Sequence, residues 1–100
     1  MKYPPAPKTR KKSLWIMSVP VITTAHFTQD DADRIYANAV VASKDGQMAI
    51  LFIDEDDDYK DFGLSTKGIA VLKKFRKLGY HYLRLDADGE KVEGLKTYEW

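Results

Sequence analysis

Five consecutive acids, Asp54, Glu55, Asp56, Asp57 and Asp58, with Asp61 close behind, are the densest set of potential cation ligands in the chain. Hard cations take several carboxylate oxygens at once. Neighbouring side chains of an extended chain point to opposite sides, however, so only some of the five could converge. No glycine pivot followed by a distant Glu completes a calcium loop. Asp86-Ala87-Asp88-Gly89-Glu90 is too short for such a loop and runs into a turn signal. Both segments read as solvated loops, and no metal or other cofactor is expected. The first is instead a candidate electronegative docking surface.

His26 stands near Thr23, Thr24 and Thr28, and His81 stands between Tyr80 and Tyr82. A general base needs a nucleophile and an orienting acid close in space, and the sequence ties neither ring to such partners. The chain has no cysteine, which excludes a thiolate nucleophile, a disulfide and a Cys-based zinc site. It has no nucleophile elbow, zinc-helix motif, phosphate loop or dinucleotide glycine pattern. The expectation is a protein that is not an enzyme. The enzymatic alternative is a metal-dependent hydrolase or nuclease joining His26 to the Asp54 to Asp58 segment.

Lys73, Lys74, Arg76 and Lys77 form a second candidate surface, one that could meet phosphates or an acidic partner. Tyr80 and Tyr82 follow on a strand, where aromatic pairs can stack bases. Against a nucleic-acid partner stand a net charge of +1 and a pI near 7.9, well below the basic range of such proteins. The small total hides blocks. Residues 1–12 sum to +5, residues 30–61 to −7, residues 62–85 to +6 and the last fifteen to −3. A partner at short range feels the blocks rather than the total.

The elements that must position these groups follow from pattern. One hundred residues make one domain with one modest core. Residues 1–12, with three prolines and five cations, read as a flexible basic arm, and 13–100 as the domain. Leu14 to Thr24 suits a strand, interrupted at Pro20. Thr28 caps a helix over 29–43, with Asp30, Asp31 and Asp33 in its first turn and Lys44-Asp45-Gly46 at its end. Met48 to Ile53 is a continuous apolar run, which predicts a central strand covered on both faces. Ser65 caps a second helix over 66–78, ended by Gly79. Tyr80 to Leu85 reads as a strand, Asp88-Gly89 as a hairpin turn, and Val92 to Trp100 as a short closing strand or a tail that packs back.

The fold class is therefore α+β or α/β, in the order β-α-β-α-β(-β). It has a three- to four-stranded mixed sheet with two helices packed against it. The expected core is Trp15, Ile22, Ile35, Val40, Ile50, Phe52, Ile69, Leu72, Phe75, Leu83 and Leu85. No apolar run is long enough to span a bilayer. The start of the chain lacks the apolar core of a signal peptide, so a cytoplasmic location is expected.

Two segments carry a resemblance. Ile22-Thr23-Thr24-Ala25-His26-Phe27-Thr28 with Asp31 is one. The other is Gly79-Tyr80-His81-Tyr82-Leu83-Arg84-Leu85-Asp86-Ala87-Asp88-Gly89, with Val92-Glu93-Gly94-Leu95 and Tyr98-Glu99-Trp100. Together they resemble a family of small uncharacterised proteins carried on plasmids and integrated mobile elements of proteobacteria. The resemblance covers most of the chain after Ser13 and leaves the basic arm outside. It implies no catalytic residue. It does imply a mobile-element setting, in which small proteins block host defence complexes as anti-CRISPR and antirestriction proteins do. The expected function is a non-enzymatic module that binds a protein or ribonucleoprotein through Asp54 to Asp58 and Asp61. The alternative is a nucleic-acid-binding accessory protein that uses the basic arm and the basic second helix.

Overall fold

Thr28 begins the first helix as its place in the sequence demands. Its hydroxyl accepts the Asp31 N–H at 3.2 Å, and α1 then runs over Gln29–Asn38. Ser65 does the same for α2, Thr66–Lys77, accepting the Gly68 N–H at 3.1 Å. Four strands make the sheet of this computed structural model: β1 Val21–Thr23, β2 Val41–Ala42, β3 Met48–Phe52 and β4 Tyr82–Asp86. The structure describes residues 3–6, 19–53, 59 and 61–99. Trp15 and the first residues of the expected Leu14 to Thr24 strand lie outside them.

The strand order is β1-β4-β3-β2. β1 runs parallel to β4, and β3 is antiparallel to both β4 and β2. This is the expected mixed sheet with two helices. Leu51 stands opposite Leu83, and Ala49 and Ile22 both stand opposite Leu85. Ile22, Leu51, Leu83 and Leu85 join Ile35 of α1 and Leu72 and Phe75 of α2 in one buried cluster with Phe27, Ile53 and Tyr59. Both helices therefore cover the same face of the sheet.

That geometry corrects several expectations. Among the described residues, both helices lie on one face of β3 and neither covers the other face. The burial of β3 alternates, with Ala49 and Leu51 inside and Met48, Ile50 and Phe52 half-buried on the other side. Ile50 and Phe52 thus leave the expected core. An unbroken apolar run conceals its own parity, and the pairing of Leu51 with Leu83 decides it. α1 stops at Asn38 rather than residue 43. Ala39 is already extended, Asn38 Nδ2 donates to Arg34 O at 2.8 Å, and the β-branched pair Val40-Val41 turns to the sheet. Val40 N and the register partner Val41 both face Ile50, so two residues oppose one in a bulge. Val40, expected in the core, is 62% exposed. Lys44-Asp45-Gly46 sits in the β2–β3 hairpin instead of ending a helix, and Ser43 Oγ accepts the Gln47 and Met48 N–H groups there. The Ser43 hydroxyl, and after it the Gln47 N–H, holds the Asp45 carboxyl below the usual carboxylate range.

The last strand begins at Tyr82, and Tyr80 is a buried core residue. Asp88-Gly89 makes a turn without a hairpin. The chain swings on to β1, where Glu90 bridges Ile22 in parallel and Glu90 O accepts the Thr23 N–H at 3.0 Å. Gly89 allows the crossing, because a Cβ there would stand 2.6 Å from the Ile22 carbonyl. Residues 92–99 are the expected tail that packs back. Val92 is buried, and Tyr98 N donates to Ala25 O at 2.7 Å. Of the expected arm, Tyr3 to Ala6 are described, and they lie on the body. Tyr3 meets Phe75 and Tyr80 edge-on, and Ala6 N donates to Leu78 O at 2.7 Å.

Candidate functional site: the sheet face away from the helices

The two strands at the centre of the sheet send every second side chain away from the core. On β3 these are Met48, Ile50 and Phe52, and on β4 they are Tyr82, Arg84 and Asp86, all half-buried. None of Met48, Ile50, Phe52 and Tyr82 belongs to the core cluster or packs against it. Register extends the face to both edges. Val21 stands beside Arg84, Arg84 beside Ile50, and Ile50 beside Val41. Val21 is 41% exposed and Val41 49%, and with Val40 they are the large apolar residues most open to solvent among those described.

Next to that row, the rings of Phe52 and Tyr82 meet edge to face at 5.3 Å, a favoured aromatic geometry. Arg84 is the one cation of the six central positions. Its guanidinium donates to Asp86 Oδ2 at 3.1 Å, while its Nε is buried without a partner. A buried N–H left unpaired costs free energy. At the Phe52 end a cavity of about 400 Å³ opens, lined by Asn38, Leu51, Phe52, Asp61 and Phe62. β2 pairs only with Ala49 and Ile50, so β3 runs past its neighbour there.

The residues singled out in the sequence fall as follows. Asp54, Glu55, Asp56, Asp57 and Asp58 lie outside the described residues, while Asp61 is exposed at the cavity beside Phe52. Lys73, Lys74, Arg76 and Lys77 are all exposed on α2, on the helix side of the molecule. The two tyrosines read as a pair are divided, Tyr80 into the core and Tyr82 onto the sheet face away from the helices. His81 is exposed. His26 is 2% exposed and ties down the tail: its Nε2 accepts the Val92 N–H at 2.8 Å, and its Nδ1 donates to Lys96 O at 2.9 Å. Both ring nitrogens are thus spent on backbone. Among the described residues, no group of three or more His, Cys, Asp or Glu could hold a metal ion. No described helix is long and apolar enough to cross a membrane.

Sequence reading missed Val21, Val41, Ile50 and Arg84 as a row. The alternation Tyr82-Leu83-Arg84-Leu85-Asp86 carried the signal, since its aliphatic members mark the inner face and leave the others outside.

Fold and site together define a one-sided α+β domain with an apolar, aromatic sheet face. Residues 19–100 match the family of unknown function (DUF5983), C-terminal domain, and the chain belongs to that family. No curated protein and no solved structure matches it.

Proposed function

We propose that this chain is a non-enzymatic module that binds another protein through the sheet face away from its helices. The observation that carries the reading is the row Val21, Arg84, Ile50 and Val41, apolar at both exposed ends, on a face that neither helix covers. Contiguous apolar surface of this kind marks protein contact sites. The chemistry of the face selects among macromolecules. Its single central cation is already answered by Asp86, so a polyanion gains little charge neutralisation there. Asp61 and the five acids that follow Ile53 in the sequence favour a partner whose apolar surface carries an Arg/Lys rim.

In its finer form the reading is a mobile-element inhibitor seated on a host defence complex, with the acidic block set against a channel built for nucleic acid. Segregation of charge along the chain supports that form.

Capture from a proteobacterial lysate tests the reading. A protein retained by the wild type should be lost with Val41→Asp and with Tyr82→Ser. It should stay with Lys73→Glu plus Lys77→Glu, and nuclease treatment should leave it in place. Retention by both face variants, or loss on nuclease treatment, defeats the reading and favours the basic helix.

A further inference from the structure

On the helix side, far from the sheet face, α2 and the C-terminal tail enclose a groove of about 300 Å³. Val71 of α2 and Leu95 of the tail give it apolar walls, and Tyr98 lines it too. Three lysines stand around it, Lys67 and Lys74 on α2 and Lys96 on the tail, and no acid among the described residues lines it. The Lys96 ammonium lies 5.1 Å from the centroid of the Tyr98 ring, a cation–π contact that holds it in place. Lys67 and Lys74 are two helical turns apart, about 10 Å along the axis.

The tail wall is fixed by hydrogen bonds to the β1–α1 connection. His26 takes the Val92 N–H and the Lys96 carbonyl, and Ala25 O takes the Tyr98 N–H. The groove is therefore built before any ligand arrives, and little ordering cost is left to binding.

We infer that this groove is a second binding site, separate from the sheet face. It takes a short extended acidic segment of another protein. An apolar side chain of that segment lies between Val71 and Leu95, and carboxylates lie on Lys67, Lys74 and Lys96. Carboxylates four residues apart in an extended segment share a face and span about 13 Å, enough to reach both lysines of α2. The same observations disfavour nucleic acid. The walls are apolar where a sugar-phosphate chain needs donors. Lys73 and Lys77, which a long polyanion would also engage, do not line the groove.

The probe is a capped pentapeptide of the order Glu-Asp-Leu-Glu-Asp, titrated at low salt into the 15N-labelled full chain. Amide shifts should concentrate at Val71, Lys74, Leu95 and Tyr98. Lys74→Gln with Lys96→Gln should weaken binding roughly tenfold or more, whereas Lys73→Gln with Lys77→Gln should change it less than about twofold. Amide spectra of both double variants that overlay the parent away from the substitutions exclude misfolding. The inference is overturned by absence of shifts at millimolar peptide, by shifts spread over the Lys73 and Lys77 face, or by equal losses in the two double variants. It is also overturned if a thymidine oligonucleotide moves the same amides at lower concentration than the peptide.

Discussion

Asp31 reaches from the first turn of α1 into the N-terminus of α2. Its Oδ1 accepts the Ser65 N–H at 2.9 Å, and its Oδ2 accepts the Ser65 hydroxyl, which in turn accepts the Gly68 N–H. A carboxylate at a helix N-terminus is favoured by the helix dipole as well as by these bonds. Asp31 is 2% exposed, so it cannot swing away. The approach leaves no room on the other side: a Cβ on Gly68 would stand 2.6 Å from Oδ2. A glycine inside a helix ordinarily costs about 1 kcal/mol relative to alanine. Here the sign reverses, and Gly68→Ala should lower stability in urea unfolding. Asp31→Ala should cost about 2–3 kcal/mol through the lost charge-assisted bonds. In the Asp31→Ala background the obstruction is gone, and Gly68→Ala should become stabilising by up to about 1 kcal/mol. Additive effects of the two substitutions would show that the contact is not what constrains Gly68.

Among the elements, β3 gives the sharpest contrast between neighbours. Leu51 is 1% exposed in the core, while Phe52 lies half-buried against Tyr82 on the face away from the helices. Leu51→Ala should cost about 2–5 kcal/mol, as cavity-forming core truncations do. Phe52→Ala should cost less, about 1–2.5 kcal/mol, the aromatic pair together with the apolar area of a half-buried ring. Denaturant midpoints of the two variants check the assignment, and a larger loss at Phe52 would place the core on the wrong side of the strand. Both helix starts and both central strands were legible from caps, apolar runs and glycine positions, and the returning tail only as one of two alternatives. What was not legible depended on partners distant in sequence. The parity of β3 is decided by Leu83 and Leu85, and the exchange of helix for strand at Val40-Val41 by Ile50. The turn at Asp88-Gly89 has hairpin composition, but β1 offers a free edge and the chain takes it. Of the candidate site, aromatic residues and charge blocks were visible, but the row across four strands exists only once they pair.

For the molecule as a whole, the N-terminal segment matters beyond the family-matched region. Tyr3 to Ala6 precede residues 19–100, yet they close the core at the α2–β4 junction. Tyr3 stands 5.0 Å from the Phe75 ring and 5.7 Å from Tyr80, and the Tyr80 hydroxyl donates to Pro4 O at 2.9 Å. Burial raises both phenols above their ordinary value of 10.0, and for Tyr3 the neighbouring Tyr80 and Glu90 add to it. The fold thus favours the neutral phenols more than the unfolded chain does. Below about pH 10 both states keep their protons, and the docking contributes in full. As pH rises past 10 the unfolded chain ionises first, and the contribution is lost as pH climbs through the raised folded values. A phenolate at Tyr80 also has no proton for Pro4 O. Thermal unfolding should therefore show a flat midpoint from neutrality to about pH 9 and a fall above about pH 10. Tyr80→Phe should lower the plateau, since Pro4 O loses its donor, and make the alkaline fall shallower. Tyr3→Ala should lower the plateau by exposing Phe75. Ultraviolet titration at the tyrosinate band supplies a second reading, in which Tyr3→Phe and Tyr80→Phe each remove a late-ionising component from the folded chain. If neither variant removes a late-ionising component, and the melting midpoint is unchanged above about pH 10, the N-terminal segment does not hold its place on the core.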